Sequence, residues 1–542
     1  MLMKKLFQKG NAFLGFVNIG RNKNDQFGVH PVWGRVLVLL GALGVAGWVL
    51  IAFAGFLFLK HTRDVETGRF ADLLLLRWDD FRYAWGEDYI RIGTEMIESG
   101  DVAEGFHYLR IGLMRSPDNI EARQLLADVF LAHRSTDRAA RLLIEGMPYG
   151  IHDVDYVTST MRVLLRMEKD REIRELAEQF LPEEPTIEDR YVLIAFAAAR
   201  ASFHRGDFDG AIKLIEDYRM GVSKTAQILL ARIDWERGNR AEALERLREM
   251  VRQDPEYSEA FLYLTRYHHQ IGELEAAERY AVARQLNDPL AAAPRVDLLY
   301  IYEAQADIER LNHEVDTLLR DFRNDSGAVE FLAQFALDTT DPALAQRVFE
   351  HAQLRNMNLA VPGIVYVHTL MKAGEFDRAT ALADRLGREV EGFAEEFSAQ
   401  ILAVNAIADY ARGDRANAEL QMSQFLARSN LRPSNYIAYS DKLIELGHHE
   451  PARRILNQAH RVNPRSQSLL NALIRLDILR GDDNALISNV PKLIEMRLPS
   501  MEVLNEAYRF LSSDRFLFSV ERAEILERIE ATLRDHPQVG LG

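Results

Sequence analysis

The strongest constraint on the fold is a clause written twice. Residues 238–255 read GNRAEALERLREMVRQDP and residues 272–289 read GELEAAERYAVARQLNDP. Each opens on Gly, carries Ala five positions later and closes on Asp-Pro. The interval from Gly238 to Gly272 returns from Gly413 to Gly447 and from Gly447 to Gly481. The same register holds Gly100, Gly206 and Gly374. Five positions on stands a small residue: Gly105, Ala139, Ala211, Ala243, Ala277, Ala345, Ala379, Ala418 or Ala452. Pro117, Pro255, Pro289 and Pro464 close units. Each position has a mechanical reason. Gly takes the left-handed conformation that stops a helix. The small residue lets two helices of a hairpin approach, against Gly93, Ala127, Ala199, Ala231, Ala333 or Ala406 on the facing helix. Pro prevents the second helix from running on. Gly238 and Gly272 therefore read as turn stops rather than as a ligand loop.

The stretches that carry this pattern best are GFHYLRIGLMRSPDN (105–119), SEAFLYLTRYHHQIGELEAAERYAVARQLNDP (258–289) and SNYIAYSDKLIELGHHEPARRILNQAHRVNP (434–464). In them the chain resembles the tetratricopeptide repeat, TPR, whose unit is about 34 residues long. The resemblance implies an all-α fold: a right-handed α-solenoid of about ten to twelve TPR-like helix hairpins, preceded by one transmembrane helix. Residues 150–191 and 292–325 fit the repeat poorly, and the Trp and Gly typical of first helices are mostly missing. At 542 residues the chain exceeds one ordinary core, which a repeat array resolves. Its 48% hydrophobic and 27% charged content suits folded structure.

VLVLLGALGVAGWVLIAFAGFLFL, Val36 to Leu59, carries no charge from end to end. As a helix it would be about 36 Å long, enough to cross a hydrocarbon core of about 30 Å. It runs on into FLFLKHTRD with no small-x-small cleavage site, so it reads as a retained span. The expected organisation is a basic tail at 1–35, the span at 36–59, an aromatic juxtamembrane segment or solenoid cap at 60–85, the solenoid at 86–498 and capping helices at 499–542. In the tail, Leu2, Met3, Leu6, Phe7, Phe13, Leu14 and Phe16 lie among lysines, which suits an interfacial helix as well as a partly disordered lead. Lys/Arg counts nearly balance on the two sides of the span, so the tail decides orientation. Residues 1–35 hold six Lys/Arg and one Asp, a net of +5, which favours a cytoplasmic N-terminus and a solenoid on the outer, periplasmic side of a bacterial inner membrane. The whole chain is −15, leaving −20 for the remainder, a charge that repels nucleic acid and anionic lipid.

Catalytic and metal patterns are missing from the sequence. There is no Cys, hence no disulfide or thiolate site. GVSKT (221–225) lacks the rest of a phosphate loop, and HEVDT (313–317) lacks the second His of a zinc site. The adjacent pairs His268/His269 and His448/His449 do not face one another on a helix. No cofactor or metal is expected. RGD occurs at Arg205–Asp207, Arg412–Asp414 and Arg480–Asp482, each time on the turn Gly of the repeat, where it reads as helix-stop and helix-start grammar rather than as an adhesion motif.

In the TPR family the ninth and twelfth positions of the first helices point into the concave groove. The resemblance puts Arg200, Arg232 and Arg266 at the ninth position of three successive units, and Phe203, Trp235 and His269 at the twelfth. Arg forks suit carboxylates or phosphates, and aromatics supply anchoring area. Arg232 has a competing local partner in Glu236 at i+4. The function expected is a non-enzymatic, membrane-anchored scaffold for partner proteins or peptides, with roles in envelope, secretion or surface-polymer assembly suggested by architecture alone. Two other readings stay open: a cytosol-facing TPR adaptor that recruits a regulator or protease to the membrane, and an enzyme with its site in a degenerate repeat.

Overall fold

The computed structural model of the chain describes residues 10–12, 17–21, 27–62, 69–428, 430–513 and 520–534. They divide into two compact units, residues 1–198 and 199–542. The first begins with β1 (Gly10–Ala12), β2 (Val17–Arg21) and β3 (Phe27–Pro31), an antiparallel meander in which Ile19 pairs with Gly10 and Val29. Residues 10–31 thus form no interfacial helix where they are described; the tail's Leu2, Met3, Leu6, Phe7, Phe13, Leu14 and Phe16 lie outside the described residues. Every described element after β3 is a helix.

Helix α1 runs Trp33–Thr62, three positions beyond the charge-free stretch at each end, and is long and apolar enough to cross a membrane by length and composition. A short α2 (Phe70–Leu74) follows. The hairpins then begin, with α3 (Trp78–Glu98), α4 (Val102–Arg115), α5 (Ile120–Ala132), α6 (Thr136–Gly150), α7 (Val154–Arg166), α8 (Asp170–Phe180), α9 (Asp189–His204) and α10 (Phe208–Asp217). They continue as α11 (Lys224–Glu236), α12 (Arg240–Gln253), α13 (Ser258–Gln270), α14 (Leu274–Asn287), α15 (Ala293–Ala304), α16 (Ile308–Asp321), α17 (Ser326–Asp338), α18 (Pro342–Leu354), α19 (Ala360–Lys372) and α20 (Phe376–Glu389). A single-turn α21 (Phe393–Glu396) precedes α22 (Ser398–Arg412), α23 (Arg415–Arg428), α24 (Pro433–Glu445), α25 (His449–Val462), α26 (Gln467–Arg480) and α27 (Asp483–Ile494), and α28 (Met501–Leu511) and α29 (Val520–Arg534) finish the chain. Twelve hairpins from α3 to α27 are present among the described residues. The aromatic stretch Arg77–Trp85 opens the first of them as part of α3.

The turn chemistry explains the regularity. All eight register glycines have positive φ, from 72° at Gly481 to 97° at Gly100. At each, the next residue's N–H reaches back to the last turn of the first helix, as Asp101 to the Met96 carbonyl at 2.9 Å and Asn239 to the Asp234 carbonyl at 2.8 Å. The same left-handed position recurs at Arg134, Glu168, Ala306 and Thr340, where no Gly is present (φ 56–57°). Arg134 and Glu168 continue the repeat spacing from Gly100, and Ala306 and Thr340 carry it from Gly272 to Gly374. The poorly matching segments 150–191 and 292–325 are therefore in phase with the rest. The small residues pack as their spacing requires: Ala199, Ala211, Ala231, Ala243, Ala277, Ala379, Ala406, Ala418 and Ala452 are fully buried. In the RGD triplets, Asp207, Asp414 and Asp482 cap the following helix, accepting from the N–H of Gly210, Asn417 and Ala485, while Arg412 pairs with Asp377 and Arg480 with Glu450.

Within the second unit the end of the repeats returns to its beginning. The Leu498 N–H donates to the His204 carbonyl at 2.9 Å, and the Arg205 guanidinium donates to the Glu495 carbonyl. The Gln467 amide holds the carbonyls of Arg497 and Leu498 at 3.2 and 2.8 Å.

One polar pair is sealed in this core. His368 Nε2 lies 2.7 Å from the Tyr439 hydroxyl, and burial lowers the imidazole from 6.5 to about 4. The folded state therefore refuses a proton that the unfolded chain accepts below pH 6.5. The stability this confers is complete above that pH and is lost as pH falls toward 4, by about 3 kcal/mol across the window. Urea unfolding at pH 7 and at pH 4.5 measures it, and His368→Gln flattens that part of the pH dependence.

Candidate functional site

The six residues expected on the first helices fall in the second unit, on α9, α11 and α13. Their arrangement differs from two parallel ladders. Arg232 lies near enough to Arg200 for its charge to act on the Arg200 guanidinium. Burial, then the charges of Arg232 and Arg497, hold the Arg200 guanidinium below its ordinary range, offset in part by Tyr263 and Glu259. Neither Arg200 nor Arg232 forms an ion pair among the described residues. The local pairing with Glu236 that helix spacing allows is not made by Arg232, whose guanidinium lies instead over the Phe203 ring at 4.5 Å and near Tyr263 at 5.9 Å.

Phe203 is a correction to the aromatic ladder. It is 1% exposed and packs against Phe208 at 5.9 Å, so it offers no surface to a partner except as the floor under Arg232. The reason is rotational: in AAARASFH its side chain follows the buried Ala199 and Ser202 toward α10 rather than Arg200 toward the open face. Trp235 remains half-exposed, with one face stacked on Tyr267 (centroids 3.8 Å, planes 2° apart) and the Arg240 guanidinium 5.6 Å from its ring. Tyr263 stands 5.7 Å from Tyr267 and completes a continuous aromatic surface with Trp235.

Arg266 and His269 contribute elsewhere. With Thr265, Gln270, Asp297, Tyr300 and Ile301 they line a cleft of about 210 Å³ between α13 and α15. Two buried polar atoms there, Thr265 Oγ1 and His269 Nε2, have no hydrogen-bond partner among the described residues. Asp297 closes the cleft; burial raises its carboxyl, opposed by Arg284 at 2.5 Å and by Arg266. His268, beside it in sequence, is accounted for by the fold, with Nδ1 2.6 Å from Glu273 and its ring stacked on Tyr280.

The arrangement can hold an anion at Arg200 and Arg232, an apolar or aromatic side chain on Trp235 and Tyr263, and a polar group in the Arg266–His269 cleft. Tyr263 and Tyr267 were legible as an i, i+4 pair around Arg266 in YLTRY but fall outside the ninth and twelfth positions. Arg497 has no local signal, because only the return of the 495–498 loop brings it near Arg200.

The hairpins, their common register and the left-handed turns define a TPR-like α-solenoid. No protein-family model matches the sequence, and no curated protein matches it. Among solved structures, the chain matches PilW, described as a widely conserved type IV pilus biogenesis factor, at 14% identity and TM-score 0.26, over 45% of this chain and 96% of that one. It matches yeast Tom70 at 13% identity and TM-score 0.29, over 91% and 97%, and the Cut9–Hcn1 hetero-tetramer of the APC/C at 11% and 0.24, over 82% and 96%. At these scores the likenesses carry no argument about function, and the fold assignment rests on this chain's own geometry.

Proposed function

We propose that the chain is a membrane-anchored, non-enzymatic scaffold whose second unit holds an acidic segment of a partner protein or peptide on the first helices α9, α11 and α13. The observation that carries this reading is the placement of Arg200 and Arg232. On a body of net −20, Arg200 and Arg232 lie within electrostatic reach of each other, neither forms an ion pair among the described residues, and the half-exposed Trp235 and Tyr263 rings lie on α11 and α13. Keeping like charges together is unfavourable unless a ligand uses them, and Arg forks fit carboxylates. The reading is tested with the full chain in detergent and a pair of labelled peptides that differ only in Asp/Glu against Asn/Gln. Binding of the acidic peptide, weakened by Arg232→Ala, supports it; equal binding of both peptides removes it.

The same proposal takes α1 as a membrane span, with the basic tail in the cytoplasm and the repeats on the other side. This favours assembly roles in an envelope, in secretion or in export of a surface polymer. The competing topology is an adaptor with its repeats in the cytosol. Reporter fusions after residue 80 separate the two: alkaline phosphatase activity is expected, and fluorescence of a GFP fusion at that site instead would reverse the orientation.

A further inference from the structure

Helix α2 and the turn after it lie against α1. The Phe70 ring meets Phe53 and Phe56 edge-on, at 5.7 and 6.0 Å. The Trp48 indole N–H donates to the Leu74 carbonyl at 2.9 Å. Ala52, on this covered stretch, is 7% exposed although the rest of α1 is largely open. Trp48 stands well before Thr62, the last residue of α1, so the contact falls within its apolar length rather than beyond it.

The outer side of this segment is apolar and uncovered. Leu75, Leu76 and Trp78 are 60%, 72% and 49% exposed. Leu76 occupies the left-handed position of the turn, at φ 59°, and the Arg77 N–H closes that turn on the Asp72 carbonyl at 2.7 Å. That conformation is unfavourable for a residue with a side chain. In the repeats it is taken by Gly, or by Arg134, Glu168, Arg219, Ala306, Thr340 and Asn356; Leu498, the other leucine found there, is half-buried. At Leu76 the backbone holds a large apolar side chain out into the surroundings instead. Arg69 and Arg77 bracket the patch, and Trp78 has the amphipathic ring favoured at a lipid headgroup boundary.

We propose that residues 69–78 form a second membrane contact: a strap docked on α1 that places Leu75 and Leu76 among acyl chains. The inference rests on the reading of α1 as a membrane span. Lipid is the occupant because the patch continues the open apolar surface of that helix, where Leu50, Ile51 and Phe58 are likewise exposed. Since α3 begins at Trp78, the strap holds the first hairpin close to α1.

The chain has no native Cys, so single-cysteine variants need no background removal. The full chain, spin-labelled at L76C, L43C or V222C, is reconstituted into vesicles of phosphatidylcholine and phosphatidylglycerol. Collision with dissolved oxygen is then compared with collision with a water-soluble nickel chelate. Leu43 lies on the open face of α1, and Val222, 95% exposed in the second unit, is the aqueous control. The expected oxygen-to-nickel ratio is above one at positions 76 and 43 and below one at 222. A ratio below one at 76 with 43 still in lipid overturns the strap and leaves the span standing. Ratios below one at both overturn the strap and the span together.

Discussion

Replacing Gly93 by Ala is expected to destabilise the first unit by about 2 kcal/mol, although Ala is the better helix former by about 1 kcal/mol. The cause is backbone contact between α3 and α4. A Cβ on Gly93 would stand 2.8 Å from the Leu109 nitrogen and 2.9 Å from the Gly105 oxygen. Gly105, Gly86 and Gly112 are as tightly placed: a Cβ on Gly105 meets the Gly93 oxygen at 2.8 Å, one on Gly86 meets the Ser116 nitrogen at 2.9 Å, and one on Gly112 meets the Gly86 oxygen at 2.9 Å. The neighbours are main chain and cannot rotate away, so the helices must separate by several tenths of an ångström along their length. Gly93→Val costs more, and the double change Gly93→Ala with Gly105→Ala costs less than the sum, because one separation relieves both clashes. Urea unfolding and hydrogen exchange of α3 and α4 measure this. Gly41→Ala, where a Cβ meets nothing within 4 Å, is the control expected to show no loss. A Gly93→Ala protein as stable as the parent would mean that the two helices are not in backbone contact.

The second large effect separates binding from stability at the arginine pair. Arg200→Gln and Arg232→Ala are each expected to weaken the acidic peptide at least about tenfold, the loss of one charge-assisted hydrogen bond or roughly 1.4 kcal/mol. Their stabilities should diverge. Arg200 is charged in a half-buried place beside Arg232 and Arg497, and its guanidinium is held below its ordinary range. With the folded value below the unfolded one, the charged form is disfavoured by folding at every pH where both states carry the proton, neutral pH included. Removing that charge leaves the thermal midpoint unchanged or raises it. Arg232→Ala uncovers the Phe203 ring and lowers the midpoint. Arg232→Lys keeps the charge but loses the planar stacking and the fork, so its affinity falls while its salt dependence persists. Fluorescence polarisation and thermal melts on the same samples read both quantities. If Arg200→Gln costs stability and leaves peptide binding intact, the pair is structural and the proposed site is wrong.

The repeat was legible because its determinants are local. A Gly that ends one helix, an Ala that lets the next approach and a Pro that stops it are each read from neighbours a few positions away, and the structure places Gly238, Ala243 and Pro255 accordingly. Where another residue takes the left-handed turn, as at Arg134, Glu168, Ala306 and Thr340, the composition signal vanishes while the backbone geometry persists. That is why segments 150–191 and 292–325 looked irregular.

The site was legible only in part, since helical position gives a residue's direction but not its cover. Ninth-position spacing put Arg200 and Arg232 on successive first helices. It did not show that Phe203 turns inward beneath Arg232, or that Trp235 stacks on Tyr267 from the next unit. Sequence by itself determined the unit length, the hairpin turns and an apolar helix long enough for a membrane, because short-range sterics and hydropathy act within one helix or turn. Tertiary structure decided which faces are covered: α2 against α1, Arg266 and His269 in a cleft with Asp297, and Leu498 hydrogen-bonded to His204 from the far end of the repeats. The last of these depends on how many units accumulate between the partners, a sum that no local stretch of the chain encodes.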